Sequence, residues 1–527
     1  MRVLGIEGTA WAASAALFDT DTDAVTIETD AYVPDSGGIH PREAAEHMHG
    51  AIPSVIETIL DRADGPIDAV AFSRGPGLGP CLRIAATAAR ALAQTLSVPL
   101  VGVNHMIAHL EIARHYADFD SPVCLNASGA NAHVLGFQNG RYRVLGETMD
   151  TGVGNAIDKF TRHLGWSHPG GPKVEAAAED GEYVDLPYVV KGMDFSFSGI
   201  MSAAKDAVDD GAAVEDVCFS LQETIFAMLT EVAERALSLT GSDELVLGGG
   251  VGQNDRLRSM LARMCRDRGA TFYAPENRFL RDNAGMIAVL GAKMYAADDT
   301  IPIEESAVDP DFRPDEVPVS WRSDESVARV PPDERTVRGA EAVVDIEDTT
   351  VHKQRRPKAY RHETLDERLR RERTAAEARL TAQARHHGVP TPVVRDVDPV
   401  TGTLVFERVG DADLQADPTK ERATAVGRQL ATLHGAGFVH GDPTTRNVRI
   451  ATEPTSIPVY LIDFGLGYYT DDVEDYAMDL HVFEQSLAGT AADPEPLIEA
   501  FRTGYADRGR STVLDRLREI EGRGRYQ

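Results

Sequence analysis

The sequence is poor in lysine and unbalanced in charge. Only 8 of its 53 basic residues are lysines, and 83 acidic residues give a formal net charge of −30. Weakly hydrated arginines combined with an acidic surface are typical of a chain that works in very high salt. At molar salt the Debye length falls to about 3 Å, so this acidity does not exclude a nucleic-acid partner.

Cysteines are also scarce, and long apolar runs are absent. The four cysteines are dispersed without a CxxC pair, which favours reduced structural thiols over a metal or disulfide role. No apolar run approaches the roughly 18 residues of a membrane span. The opening MRVLGIEGTA has no basic segment followed by an apolar one. We therefore expect a cytoplasmic protein without a membrane partner.

Two kinds of sequence meet near residue 330 of the 527. Up to about residue 297, short apolar runs alternate with Ala-rich helical stretches, which predicts α/β layers. A Pro- and acid-rich segment follows. We predict a first domain over 1–322, a linker over 323–334 and a second domain over 335–527. The second opens with two paired strands and an Arg- and Glu-dense helix over Thr364–His387, which predicts a small α+β lobe.

His105 and His109 stand four residues apart in NHMIAHLEIA, a helical pattern. Residues at this spacing lie on one helix face, where two imidazoles can reach one metal ion. Solvated or core histidines show the same spacing, so the pair alone leaves both interpretations open. A zinc protease would carry Glu directly after the first histidine. Met106 stands there, which disfavours protease chemistry.

Four glycine-rich turns lie between strand and helix patterns. Backbone N–H groups in such turns can approach phosphate or ribose closely, although most glycine turns only reverse the chain. Distributed over two α/β halves, the set resembles the actin, hexokinase and heat-shock-ATPase superfamily. The turns are GIEGTA, NASGAN, HPGGP and LGGGVGQN.

Five segments together resemble the universal tRNA threonylcarbamoyltransferase family, the catalytic subunit of the KEOPS complex. They are FSRGPGLGPCLRIAATAARALA, VNHMIAHLEIA, GNAIDKF, LGGGVGQN and RDNAGMIA. The resemblance covers 1–322 and implies a two-lobed actin-like fold. It implies transfer of threonylcarbamoyl from threonylcarbamoyl-AMP, made by a separate synthase, to a tRNA. The acceptor is N6 of the adenosine 3′ of the anticodon in tRNAs that read codons starting with A.

The same resemblance implies the site residues. His105, His109 and Asp282 bind one catalytic iron or zinc ion. The residues that hold the adenylate are Asn126, Ala127, Ser128, Gly129, Ala130, Asp158, Gly171, Glu175 and Asn254. Their chemistry is suitable, because carboxylates accept ribose hydroxyls and an amide offers a neutral donor.

Asn126 departs from the family pattern. The family places a tyrosine there as a further metal ligand, in a strand reading YVSGGNT, whereas this chain reads NASGANA. An amide oxygen is a weaker ligand than a phenolate. Asn126, a water molecule or the nearby His133 are the alternatives for this position.

A second set of motifs begins near residue 440. Asp442 and Asn447 have the Asp-x4-Asn spacing of a kinase catalytic loop, and Asp463 opens a DFG triplet after an apolar strand. This order of motifs is typical of a site that holds Mg²⁺ against ATP phosphates. Lys353 on a predicted strand and Glu377 on the following helix predict the ion pair that orients those phosphates.

Several kinase features are reduced. Gly339 marks an abbreviated nucleotide-covering loop, Gly441 replaces the usual arginine, and no APE triplet follows. With VHKQRRPKAYRHETLD, the pattern resembles the small atypical KEOPS kinase, which is commonly fused to the transferase in archaea. The resemblance implies a small bilobal kinase-like domain with ATPase activity and serine/threonine autophosphorylation. It implies Asp442 as base, with Asn447 and Asp463 on Mg²⁺.

A tRNA-binding scaffold without turnover is the alternative for this second domain. The expected partners are tRNA, ATP and the other small KEOPS subunits. Local basic runs could contact RNA phosphate, although a solvated Arg/Glu helix face is an equal alternative for the middle run. The runs are Arg355, Arg356, Lys358 and Arg361, then Arg368, Arg370, Arg371 and Arg373, and finally Arg523 and Arg525.

Overall fold

The computed structural model describes residues 1–32, 40–138, 140–322, 335–451, 459–491 and 493–523. The predicted linker, Arg525 and the side chain of Arg523 lie outside this description. The described residues divide into two compact units. The first comprises 1–189 and 195–322, and the second comprises 190–194 and 335–523. Within the described residues, no helix combines the length and apolar character that crossing a bilayer requires.

The first unit begins with a five-stranded mixed sheet. Three antiparallel strands, β3-β2-β1, continue into two parallel ones, β4 and β5. The parallel strands are near-continuous apolar runs because helices cover them. The elements are β1 (Arg2–Glu7), β2 (Ala12–Asp19), β3 (Ala24–Ala31), α1 (Pro41–Asp61), β4 (Ala69–Gly75), α2 (Gly79–Leu96), β5 (Leu100–Asn104) and α3 (His105–Ala117).

A second sheet repeats this design, with the order β12-β11-β6-β7-β8 and again three antiparallel strands beside two parallel ones. The elements of this part are β6 (Val123–Ala127), β7 (Ala132–Gln138), β8 (Arg141–Glu147), α4 (Val153–His163), α5 (Gly171–Ala177), α6 (Ser198–Asp209), α7 (Val214–Thr240), β11 (Glu244–Gly248), α8 (Asp255–Arg268), β12 (Thr271–Tyr273), α9 (Asn277–Leu280) and α10 (Ala284–Ala296). The short strands β9 (Val190–Lys191) and β10 (Asp194–Phe195) pair in a separate two-stranded sheet, and residues 190–194 are assigned to the second unit.

One apolar core joins the two sheets. It contains residues of α3 and α10 together with Val3 and Val101 from the first sheet and Cys124 and Val246 from the second. Burying both sheets against the same helices removes apolar area from water at about 25 cal/mol per Å². The two repeated sheets and their helices confirm the α/β layers predicted for this part, and they place α3 at the centre of the unit.

The second unit has an antiparallel sheet in the order β13-β14-β15-β17-β16, followed by a mainly helical part. The pairing of β14 with β15 confirms the predicted strand pair. The elements are β13 (Thr336–Arg338), β14 (Ala342–Ile346), β15 (Thr350–Arg355), α11 (Glu363–His386), β16 (Val394–Asp398), β17 (Thr403–Glu407), β18 (Ala412–Asp413), α12 (Lys420–Gly435), β19 (Phe438–Val439), β20 (Val448–Ile450), β21 (Val459–Leu461), β22 (Tyr468–Tyr469), α13 (Val473–Thr490), α14 (Glu495–Ala506) and α15 (Ser511–Arg523).

Candidate active sites

The helix that carries the two histidines begins at a capped position. Asn104 ends β5, and its side-chain oxygen accepts hydrogen bonds from the N–H groups of Met106 and Ile107. An asparagine cap of this kind satisfies N–H groups that have no partner inside the helix and contributes about 1 kcal/mol. The cap fixes where α3 begins, and the four-residue spacing of His105 and His109 places both on the same face of this helix.

Asp282 meets both histidines from a distant part of the chain. It lies two residues before α10, and its Oδ1 is 3.3 Å from Nε2 of His105 and 3.4 Å from Nε2 of His109. One ligand atom from each of the three residues lies within 4.8 Å of the others. Two imidazoles and one carboxylate form a donor set that suits zinc or iron, with positions left for further ligands. The three residues therefore fit a metal ion.

A fourth side chain supports this group. Glu7, at the end of β1, is fully buried, and its Oε2 lies 3.0 Å from Nδ1 of His105. Its other oxygen accepts a hydrogen bond from the Thr9 N–H at 2.7 Å. A carboxylate on the second nitrogen of a histidine fixes the tautomer and the ring orientation. The sequence analysis missed Glu7, although GIEGTA lies among the glycine turns.

Charge in this pocket is distributed unevenly. Burial disfavours the His105 imidazolium, but Glu7 and Asp282 outweigh burial and raise the pKa of His105 to about 10. Burial lowers the pKa of His109. Burial alone would raise the pKa of Asp282, yet the two imidazoles hold it well below its usual range. The pocket thus contains two carboxylates, Glu7 and Asp282, and it stabilises one positive charge that lies between them.

Asn126 lies at the same pocket. Its side chain is buried, and Oδ1 has no hydrogen-bond partner. A Cβ built on Gly248 would lie 3.3 Å from Cβ of His109 and 3.4 Å from Oδ1 of Asn126, so the asparagine borders the histidine helix. His133 is the ladder partner of Asn126, but its Nε2 lies 3.6 Å from Glu147. Within the described residues, the metal-type cluster does not include His133.

Four of the residues predicted to hold adenylate, namely Asp158, Gly171, Glu175 and Asn254, form two groups that α5 connects. Asp158 on α4 accepts a hydrogen bond from the Gly170 N–H at 2.7 Å, next to Gly171 at the start of α5. Further along α5, Glu175 accepts from the Asp255 N–H at 3.1 Å, beside Asn254. The structure thus brings all four positions near one helix.

Two contacts in this region modify the predicted roles. The amide oxygen of Asn254 caps α8, and its NH₂ group donates to Oε1 of Gln222 at 3.0 Å. Asp158 also faces Nδ1 of His168 at 3.1 Å, a neighbour that the sequence analysis did not identify. Both side chains are therefore held in place by protein contacts.

The strand-end segment lies beside the start of α4. Ser128 O accepts from the Gly154 N–H at 3.3 Å, and Gly129 O accepts from the Asn155 N–H at 2.9 Å. A Cβ on Gly152 would come within 2.3 Å of the Ala130 carbonyl carbon, so only glycine fits there. The segment that begins at Asn126 thus continues along the start of α4 through Ala127, Ser128, Gly129 and Ala130.

The second unit contains the predicted ion pair. Nζ of Lys353 on β15 lies 2.8 Å from Oε1 of Glu377 on α11 and 2.7 Å from Oδ1 of Asp463. Partial burial would raise the pKa of Asp463, but Lys353 and Arg355 lower it. The residue has a φ of +63°, an uncommon backbone conformation for a side-chain-bearing residue. Gly339 precedes β14, and its N–H donates to the Ala342 carbonyl.

A buried aspartate on α13 holds the backbone of the predicted catalytic loop. Asp479 on α13 accepts hydrogen bonds from the N–H groups of His440 and Gly441 at 2.7 and 2.8 Å. The NH₂ group of Asn447 donates to Oδ2 of Asp442 at 3.1 Å. Asp479 was not identified from the sequence, since it lies 37 positions (479 − 442) after Asp442 without a motif around it.

Three arginines from the basic runs are not available to RNA. Arg355, Arg361 and Arg373 are 3%, 6% and 8% exposed, and each pairs with Glu341. A buried guanidinium cannot contact a phosphate backbone without leaving its partner. The expectation that these three residues contact RNA phosphate is therefore wrong. Arg371 is exposed, whereas Arg370 pairs with Asp366 at 2.7 Å.

Comparisons with known proteins agree with this arrangement. The sequence pattern of TsaD, the tRNA N6-adenosine threonylcarbamoyltransferase, matches residues 22–289. The chain is 71% identical to a protein of Halobacterium salinarum named "Probable bifunctional tRNA threonylcarbamoyladenosine biosynthesis protein", covering 100% of this chain and 99% of that protein.

Two further relatives carry the same name. The protein of Haloquadratum walsbyi is 70% identical, with 100% of both chains covered. That of Methanocorpusculum labreanum is 52% identical, covering 100% of this chain and 99% of the relative. The matches confirm the resemblance indicated by the sequence motifs. The chain therefore belongs to the tRNA N6-adenosine threonylcarbamoyltransferase family.

Proposed function

We propose that the first unit transfers a threonylcarbamoyl group from threonylcarbamoyl-AMP to N6 of the adenosine 3′ of the anticodon. The substrate tRNAs are those that read codons starting with A. The observation that carries this proposal is the convergence of His105, His109 and Asp282 in one buried pocket bordered by Asn126. In the reaction N6 bonds to the carbamoyl carbon, the bond to AMP breaks, and N6 loses a proton.

In this mechanism the protein mainly holds and orients. The donor is an activated mixed anhydride, so positioning of the two substrates supplies most of the rate. Asp158 and Glu175 have carboxylate oxygens that can accept ribose hydroxyls, while Gly171 opens a helix N-terminus with space for a ligand. Protein contacts already fix both carboxylates, which lowers the ordering cost when the adenylate binds.

His105, His109 and Asp282 would hold the metal ion, and Glu7 orients His105. Iron and zinc both fit this donor set. When bound, the ion supplies Lewis-acid polarisation of a substrate oxygen and a template for the threonylcarbamoyl group. Asn126 is our candidate for a further neutral oxygen ligand, because its Oδ1 is buried and has no hydrogen-bond partner.

The test is a transfer assay in molar KCl with synthetic threonylcarbamoyl-AMP, unmodified tRNA and added partner subunits. His109→Ala should abolish modified adenosine and bound metal together. His115→Ala is the matched control, since His115 lies on the same helix but pairs with Asp23. Modification by His109→Ala at the wild-type rate would remove the metal assignment. No modification by the wild type would remove the transferase proposal.

For the second unit we propose a small kinase-like ATPase that supports this reaction in the cytoplasm, together with other small KEOPS subunits. Lys353 and Glu377 would orient the phosphates, beside the loop at Gly339. Asn447 and Asp463 would hold Mg²⁺, with Asp442 as base. The supporting observation is the ion-pair chain from Glu377 through Lys353 to Asp463.

Asp463→Asn tests this second proposal. ATP hydrolysis should be lost, and tRNA modification by the complete system should fall. If ATP hydrolysis is lost but tRNA modification stays at the wild-type level, the second unit acts as a scaffold without turnover. tRNA binding, measured in parallel, separates a loss of chemistry from a loss of docking.

A further inference from the structure

Two buried cations stand on the same face of β15. Lys353 and Arg355 are two positions apart, and side chains at this spacing in a strand point to the same side. Both are less than one-tenth exposed, whereas Gln354 between them is exposed. Kinase-type motifs account for the lysine, but no motif assigns a role to the arginine.

The two cations hold the two oxygens of one carboxylate. Oε1 of Glu377 pairs with Lys353 at 2.8 Å, and Oε2 pairs with Nη2 of Arg355 at 2.5 Å. Glu377 is 1% exposed. A desolvated carboxylate is costly unless its oxygens are paired, so Arg355 favours the rotamer of Glu377 that faces Lys353.

The same guanidinium also reaches the loop before β14. Nη1 of Arg355 lies 3.0 Å from Oε2 of Glu341, within RGAEAVV, the candidate nucleotide-covering loop. The other oxygen of Glu341 pairs with Arg373 on α11. The buried Arg355 and the partly buried Glu341 thus connect the sheet, the helix and the loop through ion pairs.

A third contact joins Arg355 to the Asp463 turn. A Cβ built on Gly465 would lie 2.1 Å from Nη2 of Arg355 and 3.2 Å from Oδ1 of Asp463. Any larger side chain at position 465 would displace the guanidinium. The glycine of the DFG triplet therefore leaves the space that Arg355 occupies.

We propose that Arg355 is a positioning residue for the ATP site, holding Glu377 and the loop at Glu341 in the arrangement that binds nucleotide. This inference rests on the proposed ATPase function. In protein kinases, phosphorylation of the activation loop helps to place the corresponding helix. Here Gly441 cannot bind such a phosphate, and the Glu341–Arg355–Glu377 contacts place α11 from within its own lobe.

The experiment measures kcat and KM for ATP hydrolysis by the full chain in molar KCl. Arg355→Met should lower kcat about 100-fold, the typical effect of a misplacement of about 1 Å, and should raise the KM for ATP. A role limited to folding would reduce the active fraction, and hence kcat, at unchanged KM. Arg355→Lys keeps the charge without the planar fork and should restore only part of both parameters. It also replaces Arg355→Met if that variant does not fold.

Gln354→Met is the matched control, on the same strand but facing the other side, and should retain wild-type values. Arg355→Met combined with Glu377→Gln should cost less than the sum of the single changes, because the residues share one contact. Wild-type KM in Arg355→Met, or additive effects, would overturn the proposal. If the wild type does not hydrolyse ATP, or if Lys353→Met hydrolyses it at the wild-type rate, the proposed ATPase function of this site fails. If Lys353→Met is inactive while Arg355→Met keeps wild-type values, the inference on Arg355 fails alone.

Discussion

The buried carboxylates of the two candidate sites have different kinds of partner. In the first unit, the ion-pair partners of Glu7 and Asp282 are imidazoles, and no lysine or arginine contacts the three predicted ligands in the described structure. In the second unit, the carboxylates of Glu377 and Asp463 already pair with Lys353. The first site is completed by an added cation. The second is balanced by its own residues and, under the proposed function, would open one pair to accept Mg²⁺ and ATP.

We infer from this difference that the pairing of buried charges influences which type of ligand a site accepts. Buried carboxylates that pair with titratable imidazoles, and not with a lysine or an arginine, favour a metal ion. A lysine shared by two carboxylates favours a ligand that brings both its own negative charge and a metal. Each of the following predictions tests whether the two sites respond separately.

The largest effect is expected for Asp282→Ala. Removing one of three ligands should lower metal affinity more than about 100-fold and abolish transfer. ATP hydrolysis should be unchanged, because the ion pairs of Asp282 are with His105 and His109, which belong to the first unit. Metal content by mass spectrometry and both activities are measured. Asp206→Ala, at an exposed position of α6, is the control. Parallel loss of ATP hydrolysis would show that the sites are coupled.

Metal removal and nucleotide addition should shift different unfolding transitions. A ligand at about 100 times its Kd stabilises the folded protein by about 2.7 kcal/mol. Restoring iron or zinc to chelated protein should raise the transition of the first unit, whereas ATP with Mg²⁺ should raise that of the second. Calorimetry records both. If the metal shifts only the second transition, the assignment of the two sites is wrong.

Glu7→Gln should weaken metal binding about 10- to 100-fold, the usual range for a residue that orients a ligand. The amide keeps the size of the side chain but loses the charge that faces Nδ1 of His105. Titration of the apoprotein with metal gives the affinity. Glu43→Gln is a control, since Glu43 is exposed on α1. Unchanged affinity in Glu7→Gln would mean that His105 needs no orienting partner.

The smallest effect concerns pH. The folded protein lowers the pKa of Asp463, so its ion pair stabilises the protein above the unfolded pKa, about 3.9. This stability disappears as the pH falls through the folded pKa. Asp463 is 40% exposed, so we expect a difference of about 1 kcal/mol or less between wild type and Asp463→Asn. The difference in unfolding free energy, measured by denaturant titration, should shrink between pH 6 and pH 3. A difference that grows in acid would contradict the pairing.

Local sequence rules predicted much of this molecule. The four-residue spacing of His105 and His109 placed both on one helix face, because the helical period is 3.6 residues. Apolar alternation predicted the α/β layers and the pair formed by β14 and β15. The positions of Asp158 and Glu175 came from the family resemblance, and their roles in binding adenylate remain predictions.

Local patterns did not predict long-range partners such as Glu7, and the grouping of Asp282 with the two histidines was expected only from the family resemblance. Glu7 and His105 are 98 positions apart, and His109 and Asp282 are 173 apart. With 83 acidic and 53 basic residues, the sequence offers far too many possible pairs. The basic run at Arg355 and Arg361 therefore looked like an RNA-binding surface, although both side chains are buried.

The sequence by itself determined the local elements, the motif spacings and the family. These depend on interactions within a few residues, where backbone geometry fixes which side chains share a face. Only the tertiary structure decided which carboxylates have no lysine or arginine partner in the described structure and which arginines become buried. A buried charge loses its water and therefore needs a paired group. The packing of distant segments determines which group that is, and no local sequence pattern encodes this packing.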